Sequence, residues 1–150
     1  MSYTRLFYHI VFRTKYRIPC IDEAHEDELY RYIWGIINNK NGILYRIGGM
    51  PDHVHLFVEL TGMQSVSDFV RDVKAFSSKW LRDNKHFPLF QGWGKKFAAF
   101  SYGIDDKDRI IRYIARQKEH HAIVSLEDEL RELLRWHGCE VNEQYFMNDD

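Results

Sequence analysis

Two short stretches carry side chains whose types and spacing can do chemistry. His53-Val54-His55 sets two imidazoles two residues apart. In a strand, residues i and i+2 point to the same face, so both rings could reach one metal ion while Val54 turns into packing. A bare pair of this kind is more often a half-polar sheet face than a ligand set. The second stretch is Arg112-Tyr113-Ile114-Ala115-Arg116-Gln117. Tyr113 and Gln117 are i and i+4, one above the other on a helix. Read alone, Tyr113 joins Ile110 and Ile114 in an apolar stripe and Gln117 is a surface residue. Read together, the two stretches offer more. Two imidazoles and an amide oxygen make a three-ligand metal site with open positions, and a tyrosine hydroxyl one turn away is a nucleophile. That set suits metal-assisted transfer at a phosphodiester.

The elements that must position these groups can be read from the pattern. Tyr3–Phe12 is aromatic and β-branched and reads as a strand, followed by a basic turn over Arg13–Pro19. Asp22–Asn39 has acid in its first turn and apolar residues at helical spacing, and Asn41-Gly42 stops it. Ile43–Ile47 is a short strand, Gly48–Asp52 a turn, and His53–Leu60 a strongly apolar strand central in the sheet. Ser65–Asn84 is a long amphipathic helix with Phe69, Val70, Val73, Ser77, Trp80 and Leu81 inward. Phe97–Tyr102 is the fourth strand. A helix follows over Lys107–Ala122, then a last one from a Ser125 cap to Gly138, with a peripheral tail over Asn142–Asp150.

The order β-α-β-β-α-β plus two helices is the ferredoxin-like, split β-α-β pattern. It is an α+β fold with an antiparallel sheet, two helices on one face and C-terminal helices added. One domain is expected over 1–150, with a core over about 3–122 and a helical extension over about 125–150.

Composition limits the class. The chain has 150 residues, 45% hydrophobic and 29% charged, which fits one globular domain. The two cysteines, Cys20 and Cys139, are far apart, which argues against a disulfide scaffold or a zinc ribbon. With its cysteines so placed the chain is expected in a reducing cytoplasm; no apolar run reaches the length of a membrane helix, and no signal peptide is expected. The net charge of −1 hides a segregation. Residues 71–118 hold twelve Lys/Arg against five Asp/Glu, and residues 119–150 hold two against nine. A basic middle with an acidic tail fits an anionic partner for the middle, or two oppositely charged helices that attract each other.

The sequence resembles the single-tyrosine transposases of the HUH nuclease superfamily, the TnpA-type enzymes of the insertion-sequence 200/605 group. The HUH motif, with U hydrophobic, matches His53-Val54-His55 within Met50-Pro51-Asp52-His53-Val54-His55. The Tyr-x-x-x-Gln helix matches Tyr113 and Gln117, and the opening His9–Arg17 is similar to the group's first strand and turn. The resemblance covers about residues 3–122. It implies a metal-dependent enzyme that cuts and rejoins single-stranded DNA at hairpin-flanked ends through a 5′-phosphotyrosine. Tyr113 is then the nucleophile, and His53, His55 and Gln117 hold Mg²⁺ or Mn²⁺. It also implies DNA hairpins as partners and a homodimer with composite active sites.

Under that reading the cations gain a task. Arg13, Lys15, Arg17, Arg71, Lys74, Lys79, Arg82 and Lys95 would contact DNA phosphates, which set affinity and register. Tyr16, Trp93 or Phe97 could stack on unpaired bases, although each is more often packing. His120-His121 is expected at a helix end, and His9, His25, His86 and His137 show no partner pattern. A REP-associated chromosomal palindrome-processing enzyme and a non-catalytic hairpin-binding module stay open beside the mobile-element reading.

Overall fold

The computed structural model describes residues 2–143; the expected peripheral tail lies outside the described residues from position 144 on. The strands are β1 (Leu6–Thr14), β2 (Ile43–Met50), β3 (His53–Leu60) and β4 (Trp93–Tyr102). The helices are α1 (Glu26–Asn39), α2 (Val66–Arg82), α3 (Lys107–Ala115), α4 (Gln117–His121) and α5 (Leu126–Trp136). All strand pairs are antiparallel, in the order β2-β3-β1-β4. This is the split β-α-β sheet the element order called for.

Alternation along β3 divides the molecule. Val54, Leu56, Val58 and Leu60 face one way and join Ile10 and Phe12 of β1. Against them pack Leu29, Ile33 and Ile37 of α1 and Phe69, Val70, Val73 and Leu81 of α2. Each such buried side chain contributes roughly 1.5–3 kcal/mol of transfer free energy, so this layer is the main source of stability. Ser65 caps α2 by accepting from the Asp68 amide at 3.1 Å. Ser77, the one polar residue of the inward stripe, donates to Val73 O at 2.6 Å and accepts from the Trp93 indole at 2.9 Å.

The opposite face carries His53, His55 and Phe57, and here the C-terminal helices lie. Phe7 and Phe57 pack with Ile110 and Ile114 of α3. Glycine sets that approach. Gly48-Gly49, expected as a turn, is the end of β2, because the strand needs its side chains absent there. A Cβ on Gly48 would sit 2.8 Å from Ile114 O, and one on Gly49 would sit 2.2 Å from His53 O. The helix expected over Lys107–Ala122 is two helices. Arg116 leaves the helical region (φ −102°, ψ 19°), and its amide turns back to Tyr113 O at 3.2 Å. β4 starts four residues earlier than expected, since beyond an irregularity at Phe12/Thr14 it still pairs Trp93 with Thr14. Among the described residues no helix is long and apolar enough to cross a membrane.

Candidate metal and nucleophile site

The site is built from three directions. β3 supplies His53 and His55, both fully buried on the face opposite the main core. The α3–α4 pair supplies Tyr113 and Gln117, and the break at Arg116 between them turns Gln117 inward, where it is 1% exposed. α5 lies across the opening and supplies Glu129, itself 2% exposed. The structure therefore brings together His53, His55, Tyr113 and Gln117 within one chain.

The hydrogen bonds are specific. Gln117 Nε2 donates to Glu129 Oε2 at 3.0 Å, which turns Gln117 Oε1 toward His53 Nε2 at 3.3 Å. His53 Nδ1 donates to Asp52 Oδ1 at 2.7 Å. The Tyr113 hydroxyl donates to Glu129 Oε2. Glu129 Oε1 faces His55 Nε2 at 3.1 Å and His121 Nε2 at 2.9 Å. His121 Nδ1 donates to Val124 O at 2.7 Å, and His55 Nδ1 pairs with His9 Nε2 at 2.8 Å.

These contacts set the electrostatics. Burial would raise the Glu129 carboxyl, but hydrogen bonds from His121 and His55 outweigh it and hold the group well below the usual carboxylate range. Burial lowers His55 to about 4 against the opposing pull of Glu129. Burial likewise puts His9 well below the ordinary histidine value, with the neighbouring His55 adding to it. Both rings are thus neutral near pH 7, the form that can ligate. Burial and the Glu129 charge raise Tyr113, so its hydroxyl keeps its proton at neutral pH.

The donor set fits a divalent cation. His53, His55, His121 and Glu129 each offer one ligand atom, and these atoms all lie within 4.8 Å of one another. A neutral His53 with its Nδ1 proton on Asp52 presents an Nε2 lone pair to the amide oxygen of Gln117. Two acceptors that face each other need a proton or a cation between them.

The expected phosphate contacts are scattered. Arg13 stands beside His53 in the β1–β3 register, and Lys15 lies over the Tyr16 ring at 5.4 Å. Arg17 is paired with Glu127 of α5. Lys95 lines a groove with Arg13 and Phe97 between β4 and α5. Arg71, Lys74, Lys79 and Arg82 belong to α2, on the other face of the sheet. Arg71 pairs with Asp68 at 3.2 Å, Lys74 donates to Gly94 O and Lys96 O at 2.8 and 3.0 Å, and Arg82 donates to Gln91 O at 3.2 Å.

Sequence reasoning missed Glu129, His121 and His9. Glu129 carried a signal: with Leu126, Leu130 and Leu133 it occupies the apolar stripe of α5, where a lone acid is out of place. His9 alternates with Phe7 and Val11 on the HUH face of β1. His121 sits four residues after Gln117 and is 5% exposed at its side chain, not at a solvated helix end.

Comparison with known proteins places this arrangement. The family described as Transposase IS200 like matches residues 2–117. The ISDra2 transposase TnpA of Deinococcus radiodurans is 34% identical over 123 residues, covering 77% of this chain and 86% of that protein. A crystal structure from Deinococcus radiodurans R1, assigned as a transposase, has a TM-score of 0.56 at 24% identity over 77% of this chain and 93% of the other. A REP-associated tyrosine transposase bound to a REP hairpin has a TM-score of 0.60 at 16% identity over 83% and 73%. The fold is the α+β fold of the tyrosine transposases. The chain belongs to the IS200-like transposase family, in the insertion-sequence 200/605 group. His121 and Glu129 lie beyond the matched span.

Proposed function

We propose that this protein cuts and rejoins single-stranded DNA at hairpin-flanked sites, with Tyr113 as nucleophile and a divalent cation, Mg²⁺ or Mn²⁺, at the HUH histidines. The observation that carries the reading is the meeting of the Tyr113 hydroxyl with the His53/His55 pair, through Glu129, inside a single chain.

Tyr113 Oη attacks the scissile phosphorus, the P–O3′ bond breaks, and the products are a 5′-phosphotyrosine and a strand ending in a free 3′-hydroxyl. Glu129 Oε2 accepts from the phenolic hydroxyl and so orients it, and the phenolic proton leaves to water as the O–P bond forms. The departing 3′-oxygen takes a proton from water. A later attack by a 3′-hydroxyl on the phosphotyrosine reverses these bonds and joins strands without a nucleotide cofactor. A tyrosine held protonated is a weak nucleophile, which is why the phosphate has to be activated. His53 and His55 with Gln117 would hold the cation, which would polarise the phosphate and offset its developing charge. His9 and Asp52 orient the two imidazoles by their Nδ1 atoms. Arg13 and Lys95 line the groove between β4 and α5 and supply sequence-independent phosphate contacts there.

The test is covalent trapping. Labelled single-stranded hairpin oligonucleotides from the gene's own flanks are incubated with the protein and Mn²⁺ or Mg²⁺ and run on a denaturing gel. A metal-dependent protein–DNA adduct, lost in Tyr113→Phe and in His53→Ala, is expected. Hairpin binding with no adduct under either metal would replace the enzyme by a binding module.

A further inference from the structure

The nitrogens that do not face the cluster are as informative as those that do. Metal-bound histidines nearly always have the second ring nitrogen anchored by a carboxylate, a backbone carbonyl or another polar group. Three rings here share that pattern. His53 Nδ1 is anchored by Asp52, His55 Nδ1 by His9, and His121 Nδ1 by Val124 O. All three Nε2 atoms converge on one carboxylate oxygen, Glu129 Oε1, at 3.9, 3.1 and 2.9 Å. With its Nδ1 proton committed to a carbonyl, His121 directs Nε2 to a carboxylate oxygen. Without a metal the ring meets that oxygen as a donor; with one, its Nε2 is free to turn its lone pair to the cation, as His53 Nε2 does. One cation can reach all four atoms, which lie within 4.8 Å of one another.

We infer that His121 of α4 and Glu129 of α5 are metal ligands alongside His53 and His55, so that the DNA-free chain holds its cation by three imidazoles and one carboxylate. The inference rests on the reading of the HUH pair as a metal site and extends it to residues outside the family match. In this set Gln117 is a positioning residue: its amide donates to Glu129 Oε2 and fixes the carboxylate that binds through Oε1. Three imidazoles with one carboxylate is the donor set of a tetrahedral transition-metal site, of the kind Zn²⁺ occupies. Mg²⁺ asks for near-octahedral oxygen coordination and is poorly served. The DNA-free protein therefore binds Zn²⁺ or Co²⁺ in preference to Mg²⁺.

The experiment uses the full chain without DNA. Zn²⁺ and Mg²⁺ are titrated calorimetrically into wild type, Glu129→Gln, His121→Ala, Gln117→Ala and His53→Ala, with circular dichroism to verify folding. Co²⁺ serves as a spectroscopic probe, since four-coordinate Co²⁺ absorbs strongly in the visible and six-coordinate Co²⁺ weakly. Wild type should bind one Zn²⁺ per chain. Glu129→Gln and His121→Ala should each lose at least about tenfold in affinity, more than Gln117→Ala, and weaken the Co²⁺ bands. X-ray absorption at the zinc edge of the loaded wild type supplies an independent count that needs no variant to fold, and three imidazoles are expected. Two imidazoles, or Glu129→Gln and His121→Ala binding as wild type while His53→Ala does not, would overturn the inference and leave the HUH site standing. Unchanged binding in His53→Ala as well would remove the metal from this site and overturn the wider reading with it.

Discussion

His9 is a buried residue that touches neither DNA nor cation in this account, which makes its replacement a sharp test of how the site is held. It is wholly buried on β1, with Nε2 2.8 Å from His55 Nδ1 and Nδ1 without a hydrogen-bond partner. For His55 to offer Nε2 to a cation, its proton must sit on Nδ1 and be donated to His9. His9→Leu removes that acceptor. Leaving His55 Nδ1–H buried without an acceptor costs about 1–3 kcal/mol, and removing an unpartnered buried nitrogen returns about 1–3 kcal/mol. The two largely offset, so folding stability should move by no more than about 1 kcal/mol. Cation affinity should fall much further, by about 10–100-fold as for other partners that orient a ligand. His9→Gln, whose amide oxygen can accept from His55 Nδ1, should recover most of it. Thermal unfolding in EDTA and calorimetric titration of the cation read the two effects separately. A Leu variant that binds the cation as wild type does would refute the idea that His9 sets the His55 tautomer.

Three further outcomes follow from the geometry. Because the groups meet in one chain, mixing His53→Ala with Tyr113→Phe should not restore covalent trapping, whereas sites shared between two subunits would regain part of it. Gly48→Val should push α3 from β2, since even a Cβ meets Ile114 O at 2.8 Å; a loss of about 1–3 kcal/mol in denaturant unfolding and a clear drop in trapping are expected. Acid should destabilise the metal-free protein early. His55 titrates near 4 when folded and near 6.5 when unfolded, and His9 is shifted the same way, so the unfolded chain binds more protons between those values. The contribution of His55 and His9 is then full above about pH 6.5 and falls as pH drops toward 4, by up to about 3 kcal/mol for His55 if the whole shift is realised. Below about pH 4.5 protonation of unfolded Glu129 steepens the loss. The raised His121 acts oppositely, its contribution being lost as pH rises above its unfolded value. Urea unfolding across pH 4–8 checks the profile.

Much of this architecture was legible in the residues, for identifiable reasons. Alternation in His53–Leu60 and helical spacing in Phe69–Leu81 are local signals that burial enforces, and both elements lie where expected. The Ser125 cap and the αL Gly138 bounded the last helix equally well. The break at Arg116 was not visible, because no proline or glycine marks it. It depends on Gln117 reaching across to His53 and Glu129, which is a tertiary contact. Gly48-Gly49 read as a turn because its other use, admitting the Ile114 backbone, appears only when the helix is in place. The same holds for the site. His53, His55, Tyr113 and Gln117 announced themselves by spacing. His9, His121 and Glu129 are 46 to 74 residues from His55 or eight apart from one another in sequence, and only the fold brings them together. The acidic last helix read as an electrostatic counterweight to the basic middle, but its Glu127 pairs with Arg17 of the first turn, outside that middle. Its most consequential acid is nonetheless buried against the nucleophile.

The central claim is that Tyr113 takes the DNA. The most direct measurement is to digest the trapped protein–DNA complex with nuclease and protease and locate the residual nucleotide by peptide mass spectrometry. The account predicts a single modified peptide, with the 5′-phosphate on Tyr113. A nucleotide carried by another residue, in wild type forming normal amounts of adduct, would contradict it.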